Sequence, residues 1–180
     1  MGNKAGWLTL YSGIAGGADM IVIPEIPYDI DKLCAACEKR AQQGKGFSIL
    51  AVAEGAFDVE EAKMKKKERA KARAEAGITT ASNRIATQIQ TSTGLETRVC
   101  VPGHMLRGGS PSAYDRILAT QFGVHAAELI AQNKFGYAVA KIGDKISENK
   151  LSDVAGKTKF VPTDDQMVKT AKDIGISFGD

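Results

Sequence analysis

Long apolar runs are missing from this sequence. The longest apolar stretches, such as MIVIP at residues 20–24, fall far short of the roughly 20 residues that a membrane-spanning helix needs. The N-terminus also lacks the basic-then-apolar order of a secretory signal. No membrane partner is expected, and a cytoplasmic location is. Internal repeats and low-complexity linkers are absent as well, which excludes solenoids and tethered arrays. Cysteine and histidine are scarce, at three and two residues. The pair Cys34 and Cys37, in CAAC, has the spacing of a redox or zinc motif. A structural zinc would need two more ligands from Cys100, His104 and His125 alone. Ile30, Leu33, Cys34 and Cys37 follow helical spacing instead, which predicts small buried helix residues and no metal site.

What is present is an ordinary soluble composition. With 180 residues, 43% hydrophobic and 25% charged, the chain suits one α/β domain over 1–180 with a core of its own. The net charge of +3 is local. Residues 63–73, KMKKKERAKAR, hold seven Lys or Arg and one Glu; without them, the 24 basic and 21 acidic residues of the chain become 17 and 20. The segment is rich in helix formers and has no aromatic ring to stack on a base, so an exposed helix is expected and a nucleic-acid partner is not.

Alternating elements follow along the chain. Residues 2–16 are mostly helical in pattern, and Gly16 and Gly17 stop them before the apolar strand MIVIPE. Asp29 can cap a second helix running to about Gly44, followed by the strand FSILAVAE at residues 47–54. Helix and strand in alternation predict a parallel sheet. A polar helix ending near Gly77 comes next, then a second with Ile85 and Ile89 on one face and Gly94 as its stop. Together they form a basic helical insert over 61–90. ETRVCV reads as a third strand. A long helix from Pro111 carries Leu118, Phe122, Ala126 and Leu129 on one stripe, ahead of a strand or hairpin region and a last short helix after Thr163.

Two glycine-rich stretches differ in order. GIAGGADMIVIPE runs helix, glycines, strand, the reverse of a phosphate cradle. RVCVPGHMLRGGSPSAYDRIL has the useful order: strand, glycine loop, then a helix with Ser110 as its expected cap and Pro111 at the first helical position. Free backbone N–H groups and the helix dipole favour an anion there, and His104 and Arg107 add directed donors, with Arg98 at the start of the preceding strand. Charge-assisted hydrogen bonds contribute about 1.5–3 kcal/mol each, so two or three suffice for micromolar-to-millimolar binding of a phosphorylated small molecule. The alternative is a capped helix in which a structural arginine pairs Asp115.

The segment GHMLRGGSPSAYDR resembles the signature of the phosphofructokinase family, Gly-His-x-x-Arg-Gly-Gly-x-Pro-x-x-x-Asp-Arg, at every fixed position. MGNKAGWLTLYSGIAGGADMIVIPE is similar to the same family's Met-Gly-Arg segment, helix, Ala-Gly-Gly turn and strand, and ILAVAEGA resembles a substrate-contact strand. The resemblance spans nearly the whole chain and is weakest over the basic insert and the last twenty or so residues. It implies a three-layer αβα fold with a mostly parallel sheet, the smaller sugar-phosphate-binding domain of a phosphofructokinase, and so the C-terminal half of a longer enzyme.

The resemblance also implies roles. Fructose 6-phosphate would be held by Met1, Gly2 and Asn3, by Glu54, and by His104 and Arg107; Arg98 would reach the 6-phosphate in a neighbouring subunit of a homo-oligomer. Arginine and histidine suit a phosphate dianion, and a glutamate accepts from sugar hydroxyls, although Glu54 taken by itself reads first as an ordinary strand-end carboxylate. The family's donor-phosphate loop, its magnesium ligands and its catalytic Asp segment have no counterpart in these 180 residues. ATP or pyrophosphate and Mg2+ are therefore expected to belong to the N-terminal half, and the chain alone is expected to be inactive. Asn3 stands where the family usually has Arg. That substitution keeps a second reading in view, a non-catalytic sugar-phosphate-binding or subunit-association module.

Overall fold

The computed structural model describes residues 1–77 and 80–180; Ile78 and Thr79, inside the expected 61–90 insert, lie outside the described residues. In chain order the elements are α1 (Trp7–Ala15), β1 (Met20–Val22), α2 (Ile30–Gln42), β2 (Leu50–Val52), α3 (Val59–Ala62), α4 (Lys66–Glu75) and α5 (Ala81–Thr93). A 3-10 turn over Gly103–Arg107 then leads to α6 (Ala113–Ala131), β3 (Tyr137–Ile142), β4 (Lys145–Lys150), α7 (Leu151–Val154) and α8 (Gln166–Asp173). The chain forms two compact units, one of Met1–Gly103 with Thr158–Asp180 and one of His104–Lys157.

The first unit is α/β in three layers. β1 and β2 pair in parallel, Met20 opposite Leu50 and Val22 opposite Val52. Because side chains alternate along a strand, Ile21 and Ile23 point into one core with Leu10, Ala51, Val168 and Phe178. Met20 and Val22 point into a second core with Leu33, Cys34, Cys37, Ile85 and Ile89. So α1 and α8 cover one face, and α2 and α5 the other. Gly13 lets α1 lie close to the sheet, since a Cβ there would stand 2.7 Å from the Ile21 side chain. Asp29 caps α2 by accepting from the Asp31 N–H at 2.9 Å, and Thr80 caps α5 from Asn83. Gly94 closes α5 at φ 72, a left-handed turn that glycine takes without strain. Cys34 and Cys37 are buried free thiols on α2, and burial pushes the titration of both upward.

Three expectations give way. ETRVCV is not a strand: residues 96–101 have no regular pairing, and Val99 and Val101 are exposed. The third parallel line comes from the C-terminal segment, where the Ile21 N–H donates to the Ser177 carbonyl at 2.9 Å and the Ser177 N–H donates to Asp19. Second, residues 2–6 stay outside α1, which begins at Trp7. Third, α6 starts after Ser112, not Ser110. Ser112 and Asp115 stand three apart and cap each other reciprocally, whereas the residue three beyond Ser110 is Ala113, which has no acceptor to offer.

In the second unit, β3 and β4 form an antiparallel hairpin against which α6 packs. Leu118, Phe122 and Ala126 are half-buried there and Leu129 is buried, the stripe expected from sequence. His125 on α6 hydrogen-bonds Glu148 on β4 at 2.8 Å, and Lys134 approaches the same carboxylate at 3.6 Å.

Candidate functional site

Two sequence-distant segments meet in the first unit. The Met1 nitrogen donates to the Val52 carbonyl at 2.7 Å, and the Met1 carbonyl accepts from the buried Thr9 hydroxyl at 2.8 Å. Gly2 takes φ +74, so the chain turns there without a side chain in the way. The Gly55 N–H then donates to the Asn3 carbonyl at 3.1 Å. A Cβ on Gly55 would stand 2.4 Å from that oxygen, so only glycine permits the contact. Glu54 lies beside it in the turn that follows β2, exposed, and the turn closes with Ala56 N–H on Ala53 carbonyl at 3.1 Å. Met1, Gly2, Asn3 and Glu54 are thus brought together, with backbone able to approach a ligand and an exposed carboxylate to accept from hydroxyls.

An ion cluster lies behind that turn. Glu61, at the end of α3, receives two hydrogen bonds from Arg73 of α4, 2.7 and 2.8 Å, and a 2.6 Å ion pair from Arg84 of α5. Arg84 also meets Asp58 at 3.3 Å and the Tyr28 hydroxyl at 2.7 Å. Burial works to raise the Glu61 titration, but the two guanidiniums outweigh it and hold the carboxyl below its ordinary value. Burial, the larger effect, pushes the Tyr28 phenol up to about 12. Arg69 lies 3.9 Å over the Phe57 ring. The basic run therefore divides by residue type. Lys63, Lys65, Lys67 and Lys71 are exposed as expected, while Arg69 and Arg73, one helical turn apart, point inward. The lysine-arginine distinction was visible in the sequence, but not its direction.

The other candidate donors stand differently. Arg98 is 87% exposed and is paired at 2.8 Å with Glu96. His104 and Arg107 belong to the second unit, on the 3-10 turn, and both are exposed. Gly103 and Gly109 flank them with φ of 54 and 93. Asp115 is occupied by the Ser112 N–H and hydroxyl, both at 2.8 Å, which hold its carboxyl below the ordinary range. The pairing of Arg107 with Asp115 does not form, and among the described residues Arg107 has no carboxylate partner. The loop is thus a capped helix start with an uncommitted guanidinium and imidazole, the arrangement an anion requires.

Among the described residues no three His, Cys, Asp or Glu side chains converge as a metal site. Nor is any described helix long and apolar enough to cross a membrane.

Comparison with known proteins gives a consistent picture. A sequence-family profile described as Phosphofructokinase matches residues 1–130. The ATP-dependent 6-phosphofructokinase of Spirochaeta thermophila is 49% identical over 180 residues, covering 100% of this chain and 49% of its own length. The ATP-dependent 6-phosphofructokinase 3 of Bacteroides thetaiotaomicron is 44% identical, covering 99% of this chain and 48% of its own. The chain spans about half the length of these curated relatives. Among solved structures, Pichia pastoris phosphofructokinase in the T-state superposes with a TM-score of 0.64 at 31% identity, over 85% of this chain and 15% of that one. The pyrophosphate-dependent phosphofructokinase of Marinobacter aquaeolei, at 22% identity, shares the fold with a TM-score of 0.71 over 98% of this chain and 46% of its own.

Proposed function

The chain belongs to the phosphofructokinase family, and from that premise we propose that it supplies the fructose 6-phosphate side of a 6-phosphofructokinase. The observation that supports this reading is the junction of Asn3 and Gly55, where Glu54 lies beside the Met1–Asn3 backbone. In the first unit Glu54 accepts from sugar hydroxyls beside the Gly2 and Gly55 backbone, and in the second unit His104 and Arg107 are donors suited to a phosphate. Arg98 serves a neighbouring subunit of a homo-oligomer. Its exposed pair with Glu96 holds it weakly, and a phosphate dianion displaces a single carboxylate.

The product of the full enzyme is fructose 1,6-bisphosphate, formed by phosphoryl transfer to the sugar's 1-hydroxyl. The names of the relatives at 49% and 44% identity support ATP as donor over pyrophosphate. Such transfer rests on holding donor and acceptor in line and neutralising the moving charge. Residues 1–180 bind and orient the acceptor, whereas the donor site, the magnesium ligands and the proton-accepting Asp belong to the N-terminal half. This chain is the C-terminal half. The neutral Asn3, where the family usually has a cation, is what favours the second reading, a non-catalytic sugar-phosphate-binding module.

Titration calorimetry of the 180-residue chain with fructose 6-phosphate tests the proposal. Binding is expected, with Arg107→Ala weakening it by tens to hundreds of fold, about 2–3 kcal/mol, and a coupled assay with ATP or pyrophosphate should show no turnover. An Arg107→Ala variant that binds as well as the parent chain would remove the loop from the site.

A further inference from the structure

The basic insert holds two arginines against the turn that carries Glu54. Arg73 donates not only to Glu61 but also, through Nη2 at 2.8 Å, to the carbonyl of Ala56. Ala56 is fully buried, and no backbone N–H of the described residues reaches its carbonyl. A buried carbonyl left without a donor is costly, so the turn depends on Arg73 at one end as it depends on the Asn3 carbonyl at Gly55 in its middle. Glu61 fixes the guanidinium by taking two of its N–H groups, and Arg69 lies on Phe57, the next residue along.

We propose that Arg73 is a positioning residue for the sugar site: by holding the Ala56 carbonyl it sets the 53–56 turn and the aim of the Glu54 carboxylate. The basic insert thereby acts on acceptor binding without touching the acceptor. This rests on the assignment of Glu54 to the sugar.

Arg73→Lys keeps the charge opposite Glu61 but cannot present a fork to two acceptors at once. In the 180-residue chain, amide exchange at Gly55 and Ala56 should quicken by tenfold or more, and the Kd for fructose 6-phosphate should rise about three- to tenfold. Arg40→Lys, which weakens the Arg40–Asp19 ion pair elsewhere in the same unit, is the control for general loosening. Unchanged exchange at Gly55 and Ala56 in Arg73→Lys, or equal quickening in Arg40→Lys, overturns the positioning role. Quickened exchange beside an unchanged Kd for fructose 6-phosphate also overturns it. If the parent chain binds no fructose 6-phosphate, the acceptor assignment fails, and the role fails with it whatever the exchange shows.

Discussion

The two units bury very different shares of the apolar surface. The first holds two cores on either side of a parallel sheet, and every buried apolar residue described in the chain except Leu129 belongs to it. In the second, α6 presents its Leu118 and Phe122 stripe to the hairpin while Tyr114, Ile117, Val124 and Ile130 are exposed along the same helix. A unit with one buried apolar side chain, Leu129, has little to set against its chain entropy. Stability is concentrated in the first unit, and the exposed donors His104 and Arg107 sit on the weaker one.

The largest expected effect sharpens that contrast. Phe178→Ala should lower stability by about 3–5 kcal/mol, read as the urea midpoint of Trp7 fluorescence. Trp7 is the sole tryptophan and lies in the first unit, its Nε1 on the Lys159 carbonyl at 2.9 Å. Leu129→Ala should leave that midpoint nearly unmoved; an equal shift from both would show that the units unfold together.

Next comes acid. Glu61 titrates below its ordinary value near 4.5, so its contribution is complete above that value and is lost as the pH falls through the depressed one. The first unit's thermal midpoint should therefore drop on acidification below about pH 4.5, the ordinary value. Glu61→Gln should remove much of that pH dependence and lower stability at neutral pH by about 2–4 kcal/mol, because Arg73 loses its counterion and Arg84 is left with Asp58 alone. A variant with the parent's acid profile would break the claim that this cluster ties α3, α4 and α5 together.

The smallest effect is in the second unit. Hydrogen exchange should be faster across β3 and β4 than across β1 and β2, and Ser112→Ala should quicken the first-turn amides of α6 several-fold further. Equal protection in the two sheets would erase the comparison.

Much of this was legible in the sequence where a local rule decides. Asp29, Gly94 and the Ile85–Ile89 spacing each specify a helix boundary or face through contacts within a few residues, and the structure has them all. The hairpin and the α6 stripe were legible for the same reason. ETRVCV misled because β-propensity describes fitness for a pleated, half-buried surface, and no partner strand among the described residues supplies that surface. Ser177 occupies the third line with almost no pattern, since a bridge of one residue leaves no periodicity to read. For the site, the glycine loop and its donors stood out by motif, and Glu54 stood out by resemblance. Thr9 and Arg73 did not, because their partners are backbone carbonyls, those of Met1 and Ala56, which leave no side-chain signal in a sequence.

The bridge at Ser177 has a consequence for the order of events during synthesis. β1 and β2 are made early, yet the strand position beside β1 stays open until residues 158–180 have left the ribosome, after the whole of His104–Lys157. At about 5–20 residues per second, the nascent chain carries an unfilled sheet edge for several seconds. That interval is when an untimely neighbour could take the place beside β1 that Ser177 fills.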